Sequence, residues 1–261
     1  MIGRFLSGRG IPLASLMLVR QPVRLAVALA GISFAGILMF MQLGFRDGLF
    51  DASVTVHRLF DADIVLISPR STSSVSMAGF PRRRLVQTMA LPEVEGITPV
   101  HWNLLLWRNP KTRGTRSILA LGFEPGDPLF VDPALAPKAQ VLTQKGRVLF
   151  DEKSRPEFGP VAEWFRAGRT VESEISGQRV RVAGLIELGS SFGADGNLLT
   201  SSETFLELLP NTPPGSIEVG LVRLQQGADA EAVVEKLNAL LPEDVTVLTK
   251  QGFIDFEQNY W

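Results

Sequence analysis

The sequence predicts an α+β membrane protein: one N-terminal transmembrane helix, then an extracytoplasmic domain with two strand–helix–strand units forming one subdomain and an inserted, mainly β subdomain. Three observations predict it. Residues 25–45, between Arg24 and Arg46, hold no charged side chain. The order strand, helix, Pro-Glu turn, strand occurs twice, around Leu91-Pro92-Glu93-Val94 and Pro242-Glu243-Asp244-Val245. Between about 140 and 209, short apolar runs alternate with glycine-rich turns.

A helix rising 1.5 Å per residue needs about 20 apolar residues to cross about 30 Å of hydrocarbon. Residues 25–45 meet that length, and Ser33 and Gln42 are tolerable polar interruptions. Arg4, Arg9, Arg20 and Arg24 precede the span, and no acidic residue occurs before Asp47. The positive-inside rule therefore puts residues 1–24 in the cytoplasm and the main domain outside. A cleavable signal peptide fits less well, because the apolar run exceeds the usual core of about 7–15 residues and lacks an A-x-A-like site. Within the span, Ala26 and Ala30, and Gly31 and Ala35, are spaced for close helix packing. Ahead of it, Pro12–Arg20 reads as a short helix with Leu13, Leu16, Met17 and Arg20 on one side. Two readings stand for that face: lying on membrane lipid, or touching a cytoplasmic partner.

Residues 46–255 form the outer domain. Residues 51–60 read as a stalk continuing the membrane helix. A strand follows over 62–68, then a loop over 71–78 and a helix over 80–89 whose Arg82, Arg83 and Arg84 are a solvated face. Strands are expected over 97–106 and 115–123. Within the insert, strands are expected over 147–150, 170–175, 178–187 and 196–200, with a hairpin at Ser176-Gly177. A helix over 201–209 has Ser202 near its N-cap. A strand over 216–224 leads to a helix over 229–241, with Asp229 as N-cap and Ala232, Val233, Leu237 and Leu240 on one face. The last strand covers 245–249. At 256–261, Tyr260 and Trp261 suit either a membrane interface or an ordinary helix end.

The chain carries no catalytic signature. It has no cysteine, which excludes disulfides, thiolate catalysis and cysteine zinc sites. His57 and His101 have no ligand-spaced partner and read as surface or loop residues. No G-x-S-x-G, H-E-x-x-H or Gly-Lys-Ser/Thr occurs, and the glycines of 189–196 fit neither nucleotide motif and read as a structured turn. A net charge of −1 gives no footprint for nucleic acid. No cofactor or metal is expected on this chain, and any ATP must be bound by another.

The stretches 11–32, 40–51, 62–69, 191–200 (Ser-Phe-Gly-Ala-Asp-Gly-Asn-Leu-Leu-Thr) and 256–261 resemble DevC, the permease of DevBCA-type ABC exporters, within the MacB/FtsX-like permease superfamily. The resemblance implies an inner-membrane protein with a MacB-like periplasmic core domain and a division of labour: this chain relays ATP hydrolysis performed by a separate ATPase subunit. It further implies a homodimer, a periplasmic adaptor (membrane fusion protein), a TolC-like outer-membrane duct and a glycolipid or other amphiphile as cargo. Family members continue into three further membrane helices, so 256–261 is expected to approach a missing second span in a fragment or natural short form. A membrane-anchored, FtsX-like regulatory module is the alternative.

Overall fold

The computed structural model describes residues 21–261 apart from Pro133 and Phe192. The chain divides into two compact units, one up to Leu49 and one from Phe50 to Trp261. In the first, helix α1 (Pro22–Ser53) is long and apolar enough to cross a membrane. Its apolar side chains, among them Ile32, Phe34 and Phe40, are exposed. That is the pattern of a helix whose solvent is lipid.

The second unit opens with α2 (Thr55–Leu59) and β1 (Ile64–Ile67), then β2 (Phe80–Pro81), α3 (Arg82–Gln87) and the long β3 (Val94–Arg108). The chain continues through β4 (Thr115–Phe123), α4 (Leu135–Ala139), β5 (Arg147–Asp151), α5 (Val161–Arg166), β6 (Glu172–Ile175), β7 (Gln178–Ile186) and β8 (Asn197–Ser201). It closes with α6 (Ser202–Leu208), β9 (Ser216–Ile217), β10 (Val219–Leu224), α7 (Ala230–Leu240), β11 (Thr246–Thr249) and α8 (Lys250–Tyr260).

The two strand–helix–strand units share one sheet. Its order begins β11-β1-β10-β3, with antiparallel neighbours throughout this part. Each unit is a split β-α-β, and the first strand of the other fills its gap. This explains why all four residues of β1 are buried and its sequence is uninterrupted Ile-Val-Leu-Ile. Ile64 and Leu66 face a layer with Leu85 of α3 and Val233 and Leu237 of α7. Val65 and Ile67 face the opposite core with Val56, Trp102 and Phe253.

β3 changes partner midway. Its first half pairs β10 up to Val100, and its second half pairs β4 from His101 onward. From there the order runs β3-β4-β8-β5-β7-β6, and Trp107 of β3 pairs Ile175 of β6. The strands thus close on themselves as a small barrel, which removes open edges. Trp107, Phe150, Phe158, Val161 and Phe205 fill it. The β-rich part therefore begins within β3, ahead of the boundary near residue 140. Residues 101–123 alternate no differently from an ordinary strand pair, so closure was invisible locally. The β6–β7 turn uses positive φ at Ser176 (50°) and Gly177 (85°), as a two-residue hairpin of matching twist requires.

Several boundaries differ from expectation. Phe80–Pro81 pairs with Ser216–Ile217 instead of starting the helix, which begins at Arg82 and passes into a 3₁₀ turn over Thr88–Ala90. Arg82 and Arg83 are solvated, while Arg84 forks onto Asp244 with bonds of 2.9 Å from Nε and from Nη2. Ser201, not Ser202, caps α6 by accepting from the Thr204 amide. Asp229 caps α7. The buried stripe of α7 is Val233 and Leu237 flanked by Ala230 and Val234, whereas Ala232 and Leu240 are exposed. The stripe is rotated because β10 and β11 lie under that side.

The stalk expectation is corrected. α1 ends at Ser53, Val54 leaves helical geometry (φ −107°, ψ 12°), and Val54, Val56, His57 and Phe60 are buried. This segment is part of the core.

The barrel makes a measurable claim. Trp107→Ala removes a fully buried ring and its Nε1 bond to the Phe158 carbonyl (3.1 Å). The expected loss is about 3–5 kcal/mol, read by chemical denaturation of the full chain followed by far-ultraviolet circular dichroism.

Candidate functional site

The second unit buries a polar cluster where four segments meet. They are Ser53–Phe60, the loop 71–78, the loop 189–196 and α8. Glu257 has no exposed surface. Its carboxylate accepts from the Ser74 amide (2.6 Å), the Ser74 hydroxyl (2.6 Å) and Trp261 Nε1 (2.8 Å). Trp102 Nε1 donates to the Ser74 carbonyl (2.6 Å), so the loop 71–78 is held from both sides.

His57 completes the cluster. It is 2% exposed, and its ring lies 5.4 Å from Trp102 and 4.6 Å from Phe253. Its Nε2 is 3.9 Å from Glu257, beyond hydrogen-bond reach, and among the described residues neither ring nitrogen has a hydrogen-bond partner. Burial pushes its pKa down from 6.5 to about 3, so the imidazole is neutral. The Ser74, His57 and Glu257 trio is not a nucleophile relay. The hydroxyl donates to the carboxylate, and the imidazole bonds neither.

The loop 189–196 ties this cluster to the barrel. Asp151, fully buried at the end of β5, accepts from the amides of Leu188 (3.1 Å) and Gly189 (2.9 Å) and from Asn197 Nδ2 (2.7 Å). Asp195 receives Arg116 Nε at 2.9 Å and Arg155 Nε at 2.8 Å. The loop lies tightly on its neighbour: a Cβ on Gly193 would sit 2.8 Å from Val75 Cγ1 and 3.7 Å from Trp261 Cζ2. Glycine permits that approach. The expected structured turn is therefore a packed contact between barrel, loop 71–78 and chain end.

At the partner switch in β3, Glu218 accepts from the Trp102 amide (3.2 Å) and contacts His101 Nδ1 (3.1 Å), while His101 stacks on Phe205. Both histidines were expected as surface or loop residues; both are buried, His57 in α2 and His101 in β3. A signal for His57 was present in the sequence: Ser53, Val56, His57 and Phe60 recur at helical spacing, and all four are buried. Likewise Phe253, Ile254 and Glu257 share the buried face of α8, which marks Glu257 as a core acid. Ser74 and Asp151 had no local signal.

Of the residues expected to carry function, Arg4, Arg9, Leu13, Leu16, Met17 and Arg20 lie outside the described residues. Arg24 donates to Gln21 (2.9 Å). Ala26, Ala30, Gly31 and Ala35 are exposed on α1. Among the described residues no cluster of three or more His, Asp or Glu is placed to hold a metal.

The family described as the MacB-like periplasmic core domain matches residues 25–240. The chain belongs to that family. No curated protein matches. Among solved structures, the periplasmic region of MacB from Actinobacillus actinomycetemcomitans is similar, at 12% identity, with 78% of this chain and 96% of that one covered and a TM-score of 0.50. The extracellular domain of the noncanonic ABC-type transporter YknZ from Gram-positive bacteria is also matched, at 13% identity, 71% and 98% coverage and a TM-score of 0.44. The family match runs from within α1 to the end of α7, with β11 and α8 beyond it. In this member, the stretches 62–69, 191–200 and 256–261 lie in or beside the buried cluster.

Two outcomes test the cluster. Glu257→Gln keeps the shape but turns a donor toward Ser74 or Trp261. It should cost about 1–3 kcal/mol and raise hydrogen exchange in α8 while barrel amides stay protected. On acidification, the unfolded chain protonates His57 below pH 6.5, while the folded chain resists until about pH 3. Stability should therefore fall by about 1.4 kcal/mol per pH unit within that window. Above pH 6.5 both states are neutral and the contribution vanishes. His57→Phe should have the shallower melting-temperature profile between pH 7 and 5.

Proposed function

We propose that this chain is a membrane permease subunit of an ABC-type exporter, of the DevC kind. It relays ATP hydrolysis by a separate ATPase subunit to conformational change in the outer domain. Its N-terminus is cytoplasmic and its core domain periplasmic, in the bacterial inner membrane. It works as a homodimer with a periplasmic adaptor and a TolC-like duct, and an amphiphile is the cargo.

The observation that carries this reading is the Glu257 cluster. Ser53 at the end of α1 and His57 just beyond it are packed into the same core as α8 and the loops of the barrel. Any displacement of α1's last turn must therefore strain Trp102, Ser74 and Glu257. A carboxylate sealed from water holds such a joint in discrete arrangements, because a half-broken set of bonds leaves buried charge unsatisfied. Family membership and the apolar α1 support the membrane setting. The described residues offer no nucleophile–base pair to suggest chemistry of the chain's own.

The test is reconstitution of the full chain with an ABC ATPase subunit of the same exporter class. The chain should co-purify with the ATPase and stimulate ATP hydrolysis, and removal of residues 1–24 should abolish the stimulation. Undiminished stimulation after that removal overturns the proposal. Purification with a cell-wall hydrolase and no ATPase would favour the FtsX-like regulatory alternative.

A further inference from the structure

A cleft of about 330 Å³ opens between the end of β4, the segment 125–132, α4 and Asp61. That size is within the range of small-molecule sites. Phe123, Phe130, Leu135 and Leu199 supply an apolar wall. The polar lining is one-signed: Asp61, Asp127 and Asp132 contribute carboxylates, and no Lys, Arg or His lines the cleft among the described residues.

The three acids are not equally satisfied. Asp61 accepts from Arg223 Nη1 at 3.4 Å, and Asp132 accepts from the Ala134 amide at 2.9 Å. Among the described residues the Asp127 carboxylate has neither a hydrogen bond nor an ion pair. Partial burial, then the charge of nearby Glu124, push its pKa up, and Arg82 opposes them. Asp127 is thus an under-compensated carboxylate on an apolar wall, and a cation in the cleft would compensate it.

We propose that this cleft binds a cationic amphiphile, its apolar body against Phe123, Phe130, Leu135 and Leu199 and its ammonium group beside Asp127. An anionic amphiphile would meet three carboxylates, and a neutral one would leave Asp127 uncompensated. The cleft is wired to the buried cluster through shared rings. Phe130 bridges and stacks on Phe60 at 5.6 Å, Phe60 meets the edge of Trp102 at 5.9 Å, and Trp102 holds the Ser74 carbonyl. As the cargo class of an exporter this rests on the proposed function, whereas the binding itself does not.

The experiment uses the full chain in lipid nanodiscs, with empty nanodiscs as the partition baseline, and three probes of equal length: octylammonium, octanol and octanoate. Octylammonium should bind saturably above baseline, with octanol at least about tenfold weaker and octanoate at baseline. Asp127→Asn should weaken octylammonium by about tenfold. Ala136→Trp, at an exposed position on the cleft lining, should abolish its binding by filling the space. Three results would each overturn the proposal: octanol equal to octylammonium, octylammonium indifferent to both variants, or no binding above baseline. ATPase stimulation is read separately, so loss of this binding and failure of the permease reading are distinguishable.

Discussion

Glu257 is a carboxylate without accessible surface, and much of the outer domain is arranged to make that tolerable. An ion taken out of water costs several kcal/mol unless its lone pairs are met by donors. Here they come from Ser74, in a loop 183 residues away in the chain, and from Trp261, one helical turn on. The loop 71–78 has little regular structure of its own. It is fixed by what it gives to Glu257 and what it takes from Trp102. His57 sits against the same rings, and among the described residues its ring nitrogens have no hydrogen-bond partner. A joint built this way resists partial opening.

Asp151 plays the corresponding part for the barrel. Its carboxylate gathers the amides of Leu188 and Gly189 with Asn197, and so sets where the loop 189–196 begins and ends. Asp195 fixes the far side through Arg116 and Arg155. The barrel is thereby presented to the loop 71–78, and Gly193 leaves room for Val75 to pack against it. Two buried carboxylates thus add polar ties to a sheet, a barrel and a chain end that already share one apolar core.

Periodicity carried much of the architecture. β1 read as a buried strand because branched residues filled consecutive positions. The twin strand–helix–strand units read correctly because each holds its own capping and turn signals, such as Asp229 and the Pro-Glu turns. The single sheet they form follows from the rule that such units pack their helices on one side. The candidate site was less legible. Terminal residues 256–261 drew notice for their aromatics, while the decisive Glu257 looked like any acid on a helix. His57 read as a surface or loop residue because no ligand-spaced partner accompanies it, although its place among buried neighbours pointed inward.

The sequence by itself determined the apolar length of α1, the twin units, the hairpin at Ser176-Gly177 and the absence of thiol chemistry, because these depend on composition or on neighbours within a few residues. The tertiary structure alone decided that β3 serves two sheets, that β6 returns to close a barrel, that Ser74 meets Glu257 and that Asp61 and Asp127 share a cleft. Those contacts join residues tens to nearly two hundred positions apart. Their geometry is set by how the layers pack, and no local pattern encodes the distance between them.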